Sequence, residues 1–340
     1  MTFTAMRILE ADEAAATAVL RRSFDPWGEG ATLEDYIAGN LAQLRSPWAA
    51  DHYRFLAAVD GAGDLLASLK WFTFPAEIDG APARVSGVGA VFTPEEKRRQ
   101  GHAAALVEAM LARAGARGDA AALLMTEIGG GYYERLGFAA IPAVEESALP
   151  FLPVPWPGEP AWVSGADPHR RVEGLRPMGA ADIDTLCAMH DRPDGGERFR
   201  LRRDREGWEQ AILKIEAGHR MWPERRHRIL VVDRGSGPVA YAVVRDAPQA
   251  VQWREHGAFP GHEERLADLF WVALAEARAR GVNRLEAWRF PEIVAARRLY
   301  PVARRPQRDP VIMLRGLQPG RSLLEFGSPE ECRISWLDLF

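Results

Sequence analysis

Cysteine is scarce in this chain, lysine nearly absent and long apolar runs missing, and each shortage removes a class of protein. Two cysteines in 340 residues, Cys187 and Cys332, cannot staple a small fold or build a zinc site alone. A reduced, cytoplasmic setting is the expectation. No apolar run approaches the roughly 20 residues of a membrane span. The opening "MTFTAMRILEADEAAATAVLRR" turns acidic after Leu9 instead of leading from basic residues into an apolar core, so no secretory leader is expected either. The eight histidines show no ligand spacing, and H-E-x-x-H, C-x-x-C and G-x-S-x-G are absent, so no metal is expected. A formal net charge of −4 argues against a nucleic-acid surface. Of 43 basic side chains only Lys70, Lys97 and Lys214 are lysines. Arginine grips phosphates in a bidentate way, so each one has to be judged by its position.

What remains is a chain with 47% hydrophobic and 26% charged residues, long enough for two domains. Residues 142–160 carry six prolines, a density that excludes helix interiors and central strands. That stretch reads as extended crossing segments or a linker. The order of elements is similar on its two sides.

The first half has a strand near Met6–Leu9, helices over Ala11–Arg22 and Leu33–Leu44, and two strands in "HYRFLAAVDGAGDLLASLKWFTF". A strand through Val85–Phe92, a helix over Ala103–Arg113, the strand "AALLMTEI" and a short helix "YYERLGF" follow. The second half has helices over Ala180–Met189 and Trp208–Ala217, and two strands in "RILVVDRGSGPVAYAVVRDAP". Then come a helix over His262–Arg280, the strand "NRLEAWRF" and a helix over Ile293–Leu299. A duplicated α/β unit is the reading, with residues 1–150 as one domain, 151–171 as the proline-rich connection and 172–340 as the other.

The segment "VFTPEEKRRQGHAAALVEAML" (91–111) places three positive charges and a glycine where a strand hands over to a helix. A helix start leaves backbone N–H groups unpaired and carries partial positive charge, which suits a phosphate. Gly101 and Ala103 are small enough for close approach, and Arg98 and Arg99 add charge-assisted contacts. Neither G-x-x-x-x-G-K nor G-x-G-x-x-G is present. The spacing alone fits a solvated turn before an amphipathic helix as well as a diphosphate grip.

Arg98-x-x-Gly101-x-Ala103 after a strand, followed one strand later by "GYYERLGF", resembles the motif pair of the GNAT N-acetyltransferase superfamily. Finer features resemble the fungal-type lysine N6-acetyltransferases and the tandem enhanced-intracellular-survival family of aminoglycoside acetyltransferases. Only about forty residues follow the second unit's last helix, too few for the third domain of the latter family. The resemblance implies an α/β (α+β) fold of two acetyltransferase-like units, each a twisted mixed sheet flanked by helices. It also implies acetyl-CoA as acyl donor and a small-molecule amine as acceptor. Ala90, Val91 and Phe92 would offer backbone amides to the pantetheine, and Arg98, Arg99, Gln100, Gly101, His102, Ala103 and Ala104 would hold the diphosphate.

Tyr133 corresponds to the tyrosine near the coenzyme sulfur and is the candidate general acid. Glu127, at the end of "LLMTE", would orient the amine or relay its proton. Phe340 would supply an α-carboxylate as base, as in the aminoglycoside family. Each has a plainer alternative: a core aromatic, a solvated loop carboxylate and a packed final strand. "RSFDPWGEG" (22–30) lies where the superfamily shapes its acceptor pocket. Asp25, Trp27 and Glu29 there could meet a cationic amine by charge and cation–π attraction. Glu263 and Glu264 would cap the second unit's long helix but repel a diphosphate, so that unit is expected to be degenerate and to shape the cleft. A lysine-like amino acid is the favoured acceptor. An aminoglycoside or polyamine is the alternative within the same chemistry, and a non-catalytic coenzyme A sensor or scaffold lies outside it. A homo-oligomer stays open.

Overall fold

A computed structural model describes residues 6–152, 156–164, 168–193, 195–308, 310–318 and 326–338. The first half runs β1 (Arg7–Glu10), α1 (Glu13–Arg22), α2 (Phe24–Trp27), α3 (Leu33–Leu44), α4 (Ala49–His52), β2 (Tyr53–Val59) and β3 (Leu65–Ile78). It continues with β4 (Ala81–Phe92), α5 (His102–Ala116), β5 (Ala121–Thr126), α6 (Gly131–Glu134), β6 (Ala139–Ala140) and β7 (Val144–Ala148). The second half has β8 (Leu175–Pro177), α7 (Ile183–His190), β9 (Phe199–Leu201), α8 (Arg205–Met221), β10 (His227–Asp233), β11 (Pro238–Ala247) and β12 (Ala250–Ala258). It ends with α9 (Glu264–Ala279), β13 (Leu285–Ala287), α10 (Glu292–Ala296), β14 (Ala303–Pro306), β15 (Val311–Gly316) and β16 (Cys332–Arg333).

Local chemistry sets several of these boundaries. Asp12, Thr32 and Asp204 cap α1, α3 and α8 by accepting backbone N–H bonds from Ala15, Asp35 and Gly207. β3 and β4 are joined by Asp79-Gly80, both at positive φ, the two-residue turn whose twist matches a hairpin. α8 begins before, and ends after, the 208–217 expected from the sequence. The short helices shrink to 131–134 and 292–296, because Leu136 and Leu299 already belong to the turns that close them.

The two sheets have equivalent strand orders. One runs β1-β2-β3-β4-β5-β15-β6, with β9 paired to β3 and β16 to β9; the other runs β8-β10-β11-β12-β13-β7-β14. Strands cross between the units in both directions. β15 from the second half inserts antiparallel between β5 and β6, from Val311 opposite Thr126 to Gly316 opposite Ala121. β7 from the first half inserts between β13 and β14.

Chain order therefore divides near residue 150, but the sheets do not. Within the proline-rich stretch the proline-free "VEESA" between Pro142 and Pro150 is an extended segment that crosses into the second sheet as an internal strand. β12, which the sequence reading passed over, is the fourth strand of the second unit. Its Arg254 and Glu255 interrupt the apolar pattern of "AVQWREHGA". Glu255 is in fact buried, accepting from Arg203 at 3.0 Å, from the Tyr241 hydroxyl at 2.8 Å and from Ser335.

α5 lays Leu106, Val107, Met110, Leu111 and Ala114 against one face of the first sheet. The other face carries α1 and α3, and there α8 of the second unit packs on α3. Gly39 allows that approach, since a Cβ placed on it would stand 3.2 Å from the Ala217 Cβ and 3.3 Å from the Met221 methyl. Across the same seam Arg203 also pairs with Asp338, tying the last described residues to the interior. Among the described residues no helix is long and apolar enough to cross a membrane.

Candidate active site

β4 and β5 run parallel from Val85 opposite Ala121 to Val88 opposite Leu124, and there the pairing stops. On the other side, β4 pairs with β3 through Gly89 opposite Lys70 and resumes at Phe92 opposite Ser68. Ala90 and Val91 bulge between these positions, with Ala90 at φ +46°. Main-chain groups normally used in a ladder are thus turned toward the gap that opens between β4 and β5.

The turn from β4 into α5 follows the bulge directly in the chain. Arg99 and Gly101 stand at φ +61° and +83°, and Gly101 occupies the N-cap position without any side chain accepting from the helix start. Among the described residues four non-glycine positions have positive φ, and two of them, Ala90 and Arg99, border this gap. Internal bonds brace the loop. Lys97 pairs with Asp60 at 3.9 Å, Arg22 pairs with Glu96, and Gln100 donates to the Glu96 carbonyl at 3.3 Å.

Arg98 donates only through Nε to the Thr93 carbonyl at 3.3 Å, and neither Arg98 nor Arg99 is committed to a carboxylate among the described residues. His102 is half-buried and shares a 3.3 Å contact with Gln100, whereas Ala103 and Ala104 pack on the α5 core. A bare helix start, two uncommitted guanidiniums and small residues in the first turn fit the diphosphate of coenzyme A. The bulge fits its pantetheine arm.

Tyr133 is 7% exposed and belongs to the apolar cluster of Val88, Leu106 and Phe138, at whose edge Val91, Ala103 and Ala104 pack. Its ring meets Tyr132 and Phe138 edge-on at 4.9 and 6.1 Å. Burial, and then the neighbouring Tyr132, pushes its phenol up to about 12, so it stays protonated at neutral pH. Glu127 is exposed just past the end of β5. Phe340 lies outside the described residues.

The expected acceptor loop does reach the bulge. Trp27 packs edge-on to Phe92 at 6.0 Å, Asp25 and Glu29 are exposed beside it, and the Glu29 carbonyl accepts from the indole of Trp222 on the second unit.

Sequence reasoning missed Lys70 and Ser68. Both point from β3 to the α3 side of the sheet, next to the bulge, and are 9% and 1% exposed. A lysine inside the apolar run "LLASLKWFTF", in a chain with three lysines, was the available signal. Burial pushes Lys70 and Lys214 down to about 8, and each also feels a nearby cation. Between there and the ordinary 10.5 the unfolded chain binds more protons than the folded one, so this pair makes stability rise with pH. Denaturation midpoints should therefore climb from about pH 8 to about pH 9.5, before tyrosines ionise, and Lys70→Met should flatten the climb. An unchanged slope would show that burial does not hold Lys70 below its ordinary value.

The second unit repeats the device without the phosphate chemistry. β12 and β13 part after Trp253 and Ala287, with Arg254 bulged. A cavity of about 400 Å³ opens there, bordered by His190, Glu255, Trp288 and Glu292. Glu263 and Glu264 stand at the start of α9, where Glu264 pairs with Arg297.

Residues 8–141 match the family of acetyltransferase (GNAT) domains. No curated protein matches the sequence. Among solved structures, the chain is similar to a probable N-acyltransferase from Enterococcus faecalis, with a TM-score of 0.65 and 13% identity over 92% of this chain and 73% of that one. A GCN5-related N-acetyltransferase from Kribbella flavida gives 0.62 and 16%, over 91% and 70%. Eis1 from Mycobacterium abscessus gives 0.54 and 15%, over 92% and 74%. Acetyl-CoA is the acyl donor of acetyltransferases with this domain. Residues 8–141 thus form an acetyltransferase domain of the GNAT superfamily, in a chain whose overall fold is similar to that of a solved GCN5-related N-acetyltransferase.

Proposed function

We propose that this chain transfers an acetyl group from acetyl-CoA to the primary amine of a small molecule, a lysine-like amino acid, by direct attack. The observations that carry this reading are the uncapped start of α5 and the Ala90–Val91 bulge where β4 stops pairing with β5. Acetyl-CoA supplies an activated thioester when bound. Amides at the helix start, with Arg98 and Arg99, hold the diphosphate, and amides of Ala90, Val91 and Phe92 align the arm and polarise the carbonyl. Tyr133 keeps its Oη proton until the departing thiolate needs it. Asp25, Trp27 and Glu29 line the mouth and attract a cationic amine before it loses its proton. Those exposed carboxylates also favour the second reading, an aminoglycoside or polyamine acceptor.

Release of free thiol from acetyl-CoA across a broad amine panel tests the activity. A chain that binds acetyl-CoA but releases thiol with no amine would be a sensor instead. Gly101→Trp tests the grip. The bulky side chain at positive φ should cost about two charge-assisted hydrogen bonds, near 1.5 kcal/mol each, and weaken acetyl-CoA binding roughly 100-fold. Unchanged affinity in a folded Gly101→Trp protein would dismiss the diphosphate assignment.

A further inference from the structure

Lys70 occupies the last β3 position paired to β4 before the bulge, opposite Gly89. Paired residues of an antiparallel ladder share a face, and Gly89 and Gly87 put no side chain beside Lys70 and Phe72. The lysine crosses to α3, where Nζ donates to the Asn40 side-chain oxygen at 2.5 Å. Asn40 is itself fixed, since its amide nitrogen donates to the Tyr36 carbonyl at 2.7 Å. No carboxylate among the described residues pairs with Lys70, and its charged neighbour is another cation, Lys214. An ammonium has three donors, and this one uses a single donor. Ser68, two residues back on the same face, has a sealed hydroxyl with no partner. A buried cation without a counter-charge is costly, so the site lacks an anion.

Resting on the acetyltransferase reading above, we infer that the acceptor itself brings that anion: it is an amine bearing a carboxylate, and Lys70, assisted by Ser68, receives the carboxylate on the α3 side of the bulge. Lys70 is the last β3 residue paired before the bulge, so a carboxylate held at its Nζ would lie a side chain's length from an amine at the gap. Asp25 and Glu29 at the mouth then meet the cationic end of the same molecule. A polycation would face Lys70 with no anion to offer it.

Matched acceptors that differ only by a carboxylate test this on the unmodified protein: L-lysine against cadaverine, and 4-aminobutyrate against propylamine. The carboxylate-bearing partner should win by roughly 10- to 100-fold in kcat/KM, the worth of one buried charge-assisted contact. Lys70→Met should raise KM for the carboxylate-bearing amine while largely sparing kcat and acetyl-CoA affinity, and should leave cadaverine unaffected. Equal use of both partners, a preference for cadaverine, or no turnover of any carboxylate-bearing amine by a protein that binds acetyl-CoA overturns the inference. So does an equal loss on both partners in a folded Lys70→Met protein. Should acetyl-CoA fail to bind at all, the acetyltransferase reading beneath it falls instead. If Lys70→Met does not fold, the matched pairs on the unmodified protein still decide.

Discussion

Tyr133→Phe is expected to lower kcat by about 10²- to 10⁴-fold and to leave acetyl-CoA affinity unchanged. The ring is locked by Tyr132, Phe138 and the α5 core, and phenylalanine keeps all of that packing. Among the described residues the hydroxyl donates to no group, so its removal orphans no partner there. Burial holds the phenol near 12, well above the pH at which an amine acceptor is acetylated, so the proton is present when a thiolate departs. Kinetics on the variant, set beside direct binding of acetyl-CoA, separate the two roles. Equal losses in both would make Tyr133 a packing residue and leave thiolate protonation to solvent.

A fragment ending at residue 150 is expected neither to fold nor to bind acetyl-CoA, although it holds every motif of the coenzyme site. It lacks β15, whose Met313 is fully buried in the cluster of Val88, Leu106 and Tyr133. Without β15, β5 becomes an edge strand with an open row of N–H and C=O groups, and the sequence 144–148 loses its own sheet. Circular dichroism and acetyl-CoA titration of the fragment check this. Restoration on adding the 151–340 fragment would be the positive control, and a folded, binding 1–150 fragment would refute the need for exchange.

How far the sequence carried the fold follows from these same elements. α1, α3, α5 and the β2–β3 hairpin are written in local periodicity and caps, and they could be read directly. β15 and β7 could not be placed, because no local pattern states that a strand pairs with the other half of the chain. β12 escaped for a different reason: its Arg254 and Glu255 are polar in sequence yet buried, and the partners that make this tolerable are Arg203, Tyr241 and Ser335, far along the chain.

The candidate site divides in the same way. Arg98, Gly101 and Ala103 declare themselves because a helix start and a glycine have local meaning. Lys70 does not, since its significance depends on Asn40, on Gly89 across the ladder, and on the absence of a carboxylate.

The exchanged strand also sets a clock. From Thr126 at the end of β5 to Gly316 at the end of β15 a ribosome must add 190 residues, which at about 5–20 residues per second takes roughly 10–40 s. Throughout that interval the growing polypeptide carries its coenzyme motifs beside an unmated edge. The nascent protein therefore gains this architecture almost all at once, when β15 arrives, and is most open to chaperones and to misassociation just before then.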